Sequence, residues 1–360
     1  PPWYDDRESI TSVYIDSGVT TIGKLAFSGC SQLTNVTISK GVVAIGYCAF
    51  SGCISLTNIV LPEGVTTIGE SAFSGCSALT SIVLTKGLIT IEDSAFYECS
   101  NLTNIVIPGG VTTIGNSAFE KCNSLTHIVI PAGVTKIGWR SFRECTGLLS
   151  VKIQDGIDIL EASIFYDCSS LQSVILPSSL VTIEGSAFTN CSDLINIIFP
   201  ENVKSIGNNA FLDCKSLKSI EIPDGVTVIE YGTFMGCSNL ISAALPGQLI
   251  SIEKYAFDSC SNLSNITVPN SVVTIGERAF SECSSLKSIN IPDGVTVINT
   301  RTFFQCNNLE SITISSKLES INGYAFYQCE SLTSIIFPDT LKYIGEYALF
   351  GCDNLYDIKM

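Results

Sequence analysis

The stretch that decides the fold is Leu102-Thr103-Asn104-Ile105-Val106-Ile107-Pro108-Gly109-Gly110-Val111-Thr112-Thr113-Ile114-Gly115-Asn116-Ser117-Ala118-Phe119-Glu120-Lys121-Cys122-Asn123-Ser124. Its residues fall into three sides. Ile105-Val106-Ile107 predicts a short strand, with the flanking residues pointing inward and Val106 outward. Pro108 has no N–H to give to a ladder and ends the strand. Gly110 is expected to turn the corner with a positive φ. Val111 to Ile114 predicts a second extended side, rich in β-branched residues. Ala118-Phe119 opens the third. Phe119, Cys122 and Leu125 are three apart, a spacing that eclipses side chains on a 3₁₀ turn and buries all three.

Outward from this unit, the same residues return every 23 positions. Phe recurs from Phe27 to Phe326, with Leu349 in the next slot. Cys recurs from Cys30 to Cys352 and Leu from Leu33 to Leu355, fifteen times each without a gap. Ten of the twelve prolines share one slot. A core that tolerates no insertion is a stack of equivalent coils. A 23-residue coil buries too little apolar surface to fold alone, so stacking must supply the core and pair the strand backbones. The expected organisation is one domain over residues 1–360. Its first coil, about residues 1–30, is degenerate: Tyr4 takes the Phe slot and Arg7 the Cys slot, and Trp3 and Tyr4 are placed to cover the open core. The chain stops at Met360 on a strand slot, within a coil, which is expected of an array cut inside a longer one.

The Leu102-x-x-Ile105-x-Ile107 pattern resembles a leucine-rich repeat. With Pro108, Gly110-Val111-Thr112, Ile114-Gly115, Ala118-Phe119 and Cys122 in a 23-residue unit, it is similar to the BspA-like, or Treponema pallidum, subclass. Gly110 stands where the ordinary repeat has Asn or Cys, so the usual asparagine ladder is missing. The resemblance implies a right-handed, arc-shaped, mainly β solenoid of parallel short strands and 3₁₀ or helical turns. It also implies a secreted or cell-surface protein, outside the cell, that adheres to host matrix or cell-surface proteins. It carries over no catalytic residue.

Composition narrows the function classes. Hydrophobic residues make up 46% and charged residues 15%, which excludes a disordered chain. No run of 18 apolar residues exists, so no membrane-spanning helix is expected. Pro1 to Arg7 lacks the regions of a signal peptide, and any such segment lies outside this sequence. The net charge of −15 argues against nucleic acid and anionic membrane surfaces as partners. The single histidine, His127, has no triad or metal partners in the sequence and reads as a solvent-facing residue. Acids after the proline slot, such as Asp155, Glu201, Asp224, Asp293 and Asp339, sit in separate coils, whereas calcium wants six to eight converging oxygens. No enzyme activity, cofactor or metal is expected. Of sixteen cysteines, fifteen are in one ladder and read as free, buried thiols; Cys48 lies off it, in a slot otherwise held by serines, and reads as an exposed thiol that is either incidental or reactive, the incidental reading being preferred.

Two surfaces are candidates for a protein partner. The outward strand position runs Val60, Val83, Val106, Val129, Lys152, Ile175, Ile198, with His127 beside it. Four valines make an apolar stripe about 15 Å long, from three steps of about 4.8 Å. The plain alternative is that valine simply suits strands. The other surface is Trp139, Arg140 and Arg143, residue types enriched at interface hot spots. Stacking of Arg143 on Trp139 would instead make it structural. A tyrosine-rich end (Tyr255, Phe304, Tyr324, Tyr327, Tyr343, Tyr347) reads as a glycan platform, as core filler or as a cap contact. The expected state is a monomer.

Overall fold

The computed structural model describes Trp3 and residues 5–359; Tyr4 and Met360, which the sequence places in the Phe slot and on a strand, lie outside the described residues. The chain forms two compact units, Pro1–Ser179 and Leu180–Met360. Each is a parallel β-solenoid of 23-residue turns, matching the expected leucine-rich-repeat solenoid.

In the first unit, one side carries Ser12–Ile15, Asn35–Ile38, Asn58–Val60, Ser81–Val83, His127–Ile130, Ser150–Ile153 and Ser173–Ile175. The second carries a six-stranded sheet from Thr21–Ile22 to Lys136–Ile137. Partners are 23 residues apart, as in Val60 with Val83 and Val129 with Lys152. The second unit repeats the scheme with Ser219–Glu221, Ser242–Ala244 and Asn265–Ile266 on one side, and Val228–Ile229, Ser251–Ile252 and Thr274–Ile275 on the other. Strands are two to four residues long because a corner follows each at once. Pro108 makes the first corner: its carbonyl accepts the Val111 N–H at 3.1 Å.

Three expectations need correction. The predicted strand Ile105-Val106-Ile107 carries no ladder; this side of its coil holds only a bridge from Asn104 to Ser81. Its in-out alternation survives, with Ile105 and Ile107 buried and Val106 exposed. Gly110 does not have a positive φ. A β-carbon there would sit 3.1 Å from the Lys86 carbonyl oxygen of the preceding coil, so glycine serves close stacking rather than left-handed backbone.

The third correction concerns the turn side. Apart from Arg7–Ser9, no helix of any kind occurs among the described residues. The i to i+3 bonds are present, as from Cys122 N–H to Phe119 and from Leu125 N–H to Cys122, each 3.1 Å. They do not propagate, because two residues per coil are left-handed: Ser117 at φ 51° and Lys121 at φ 61° in the quoted unit. These kinks aim alternate amides at the next coil. Ser117, Phe119 and Lys121 donate to Trp139, Ser141 and Arg143 at 2.9, 2.8 and 2.8 Å. The amides between them close turns within the coil. Left-handed backbone costs a non-glycine residue roughly 1–2 kcal/mol, and the inter-coil bonds satisfy the donors that this geometry exposes.

Inside, like stacks on like. Phe27 to Phe165 form one column with ring centroids 5.3–5.7 Å apart, and Phe188 to Phe326 another in the second unit. Phe119, Cys122 and Leu125 are fully buried, as their spacing predicts. Burying each Phe side chain stabilises by about 1.5–3 kcal/mol. Trp3 continues the first column, 5.6 Å from Phe27 and nearly parallel to it, and its Nε1 donates to the Ala26 carbonyl at 2.8 Å. No cysteine is in a disulfide. Ladder thiols bond backwards instead: Cys122, Cys145 and Cys168 Sγ reach the carbonyls of Phe96, Phe119 and Phe142 at 3.3, 3.1 and 3.1 Å. The ladder therefore has a polar function besides packing, for it gives each Phe carbonyl a second donor.

Candidate protein-binding surfaces

On the first strand side of the first unit, the outward row is Val60, Val83, Val106, Val129, Lys152 and Ile175. Alternation along the strand sends the preceding residue inward and leaves these residues out. The valines are 49–72% exposed, and Val106 is the most open. Val60 pairs with Val83 in one ladder, and Val129 with Lys152 and Lys152 with Ile175 in another; the Val106 coil between them is joined to Ser81 by the Asn104 bridge. Thr80 and Thr103 beside the row donate their hydroxyls to the carbonyls of Thr57 and Thr80, at 3.0 and 3.2 Å. The hydroxyls of Thr80 and Thr103 are therefore already paired, and the valine side chains stand exposed beside them. His127 Nδ1 lies 2.7 Å from Ser150 Oγ. A serine next to a histidine invites comparison with a nucleophilic pair, but among the described residues no carboxylate is hydrogen-bonded to the ring to orient it. Ile198, 81% exposed, belongs to the second unit.

Trp139, Arg140 and Arg143 lie on the turn side, away from the strand row. The structure divides them. Arg140 stacks on Trp139, its guanidinium carbon 4.4 Å from the ring centroid. Arg143 does not, contrary to the stacking considered from sequence. It lies over Tyr166 at 5.2 Å and pairs with Glu120 at 2.7 Å and Glu144 at 2.6 Å. Glu120 is buried, so Arg143 neutralises a charge that would otherwise be stranded. Arg143 is thereby a structural residue, while Trp139 and Arg140 stay exposed. Sequence reading missed Glu120 and Tyr166 as its partners. The signal was there: 120, 143 and 166 are one period apart.

The acids after the proline slot have local work. Asp155 accepts the Ser178 N–H and hydroxyl at 2.6 and 2.9 Å, and Asp293 accepts those of Ser316 at 2.9 Å each. These bonds hold both carboxyls below the usual aspartate value. Among the described residues, no three His, Cys, Asp or Glu side chains come together as a metal site would require. In the second unit, the tyrosine-rich end forms short stacks, Phe304 on Tyr327 at 5.1 Å and Tyr324 on Tyr347 at 5.3 Å, with Arg301 over Tyr324. Tyr343 stands apart on a second-side strand.

The coil geometry has counterparts. The BspA type leucine rich repeat region, in six copies, matches residues 3–126, 112–241 and 228–356. The chain belongs to this family of leucine-rich-repeat proteins, and such repeat regions serve generally in protein interaction and are typically not enzymes. The chain is similar to a leucine-rich repeat protein from Bacteroides ovatus, with 31% identity, coverage of 96% of this chain and 86% of that one, and a TM-score of 0.72. It is similar to a leucine rich cell surface protein from Faecalibacterium prausnitzii, with 27% identity, 97% and 87% coverage, and a TM-score of 0.53. A leucine-rich repeat protein from Eubacterium ventriosum shares the fold at 24% identity, with 97% and 85% coverage and a TM-score of 0.50. No curated protein matches the sequence. No helix among the described residues is long and apolar enough to cross a membrane.

Proposed function

We propose that this chain is a non-enzymatic adhesion module of a secreted or cell-surface protein, and that it binds a host matrix or cell-surface protein through the exposed strand row. The observation that carries this reading is the set of four exposed valines, Val60, Val83, Val106 and Val129, one on each of four successive coils. A contiguous apolar stripe bordered by satisfied hydroxyls has the make-up of an interface centre with a polar rim. His127, Lys152 and Ile175 extend it and supply the variation that discriminates partners. The cell-surface relative from Faecalibacterium supports the location.

Immobilised matrix proteins and glycans are the test. Saturable binding is expected to a matrix protein, and the double variant Val83→Lys plus Val106→Lys weakens it at least tenfold, about 1.4 kcal/mol. Unchanged binding by that variant removes the row from the reading. Absence of saturable binding to every protein and glycan leaves a passive spacer that presents another domain.

A further inference from the structure

The strand face of the second unit has a different chemistry. Its outward row runs Ile198, Glu221, Ala244, Thr267, Asn290. The coil Ser242-Ala243-Ala244-Leu245 has two alanines where its neighbours have Ile220-Glu221 and Ile266-Thr267. The face sinks there into an open depression of about 880 Å³, lined by Glu221, Ala244 and Thr267 with Ser242, Asn265 and Ser288 among others. A second depression of about 810 Å³ lies on the other side of Glu221, with Ile198, Glu201 and Asp224 in its wall. Glu221 is the only charged side chain lining the first, and no lysine or arginine lines either. Glu221 is exposed and enters no ion pair among the described residues.

We propose that this part of the face seats an extended segment of a partner protein that presents a lysine or arginine, with its cationic head on Glu221 and its aliphatic stem over Ala244. Long basic side chains lay their methylenes on apolar surface while the head keeps a polar partner. The gap left by a small residue beside a carboxylate fits both halves. The Ser242, Asn265 and Ser288 row adds one hydroxyl or amide per coil, in reach of a peptide backbone laid across the strands. A net charge of −15 favours a basic partner at long range. This surface is independent of the valine row, which lies in the other unit.

Fluorescence anisotropy with the intact chain tests it. The probes are a labelled Gly/Ser hexapeptide bearing two arginines and the same peptide with citrulline, a neutral isostere, in both places. The arginine peptide is expected to bind at least tenfold more tightly, and more weakly as salt rises. Glu221→Gln removes the preference. Ala244→Val, a residue that strands accept, fills the seat and weakens the arginine peptide about tenfold. Val83→Lys plus Val106→Lys leaves the preference for arginine over citrulline in place. Equal binding of the two peptides overturns the proposal, as does an unaltered preference in Glu221→Gln. A silent Ala244→Val overturns the seat. Binding of a neutral oligosaccharide at the same place, indifferent to Glu221→Gln, assigns the surface to a sugar instead.

Discussion

Raising the pH should unfold this protein far more steeply than an ordinary one, because of the thiol column. Burial pushes Cys99 and Cys145 up to about 12, and Cys122 well above its ordinary value of 9.0. In the unfolded chain they titrate near 9. A group whose native pKa is raised contributes stability that is complete below the unfolded value and is lost as pH climbs towards the native one. At pH 10 each exposed thiol gains RT ln(1 + 10), about 1.4 kcal/mol, that its buried counterpart does not. Three thiols thus account for about 4 kcal/mol, against a total stability of about 5–15 kcal/mol for a typical protein. The measurement is urea unfolding by circular dichroism at pH 8 and pH 10, for the native chain and for Cys99→Ala, Cys122→Ala, Cys145→Ala combined. The triple variant starts less stable, since its small cavities lose contacts and three Phe carbonyls lose a donor. Its loss between the two pH values should nevertheless be smaller by about 4 kcal/mol. Tyrosine and lysine titrate alike in both proteins and cancel from the comparison. Parallel pH profiles would refute the reasoning.

Three further outcomes follow from the same geometry. A thiol reagent on the native protein should label Cys48 and Cys352 quickly, since these two are half-buried, and the other fourteen only on unfolding; the sequence alone expects Cys48 by itself. Ser94 sits at φ 54°, so Ser94→Gly should raise stability by about 0.5–1 kcal/mol and Ser94→Val should lower it by about 1–2 kcal/mol, read from urea midpoints. Asp155 has its carboxyl held down by Ser178, so it contributes stability above the ordinary aspartate pKa and loses it as pH falls through the lower native value. Asp155→Ala should flatten the acid limb below about pH 4, and an unchanged limb would show that this hydrogen bond does not matter.

The periodic core was legible because each of its residues is dictated by what stacks above and below it. Phe, Cys and Leu at 23-residue spacing leave one arrangement in which all can be buried. The turn side was less legible. Its left-handed slots are filled by Ser117, Arg140, Tyr255 or Gln305, residues that ordinarily avoid such backbone, because stacking imposes the conformation whatever the side chain. The hint was Gly29, Gly52, Gly75, Gly236 and Gly351, which share one of the two slots and all have positive φ. The pairing of Arg143 with Glu120 was hidden for another reason. Trp139 is nearer in sequence, but coil stacking makes residues 23 apart closer neighbours than residues 4 apart. The depression over Ala244 was hidden too, since an alanine in a row of varied residues signals a hollow only once the neighbouring coils are in place.

The alternating amides of the turn side give each unit an electrical direction. In the coils from Leu25 to Arg140, the three peptide groups ahead of the slots that hold Ser117, Phe119 and Lys121 point N–H towards later coils and C=O towards earlier ones. Peptide dipoles of about 3.5 D aligned this way add along the stack. The sense is the reverse of an α-helix: the negative pole faces the start of the chain. In the first unit that pole is where the Trp3 indole N–H bonds Ala26, and where Arg7 lies against Gly29 in the first coil. A donor and a cation thus face that pole, and a carboxylate placed there, as in Arg7→Glu, would oppose the field of the stack.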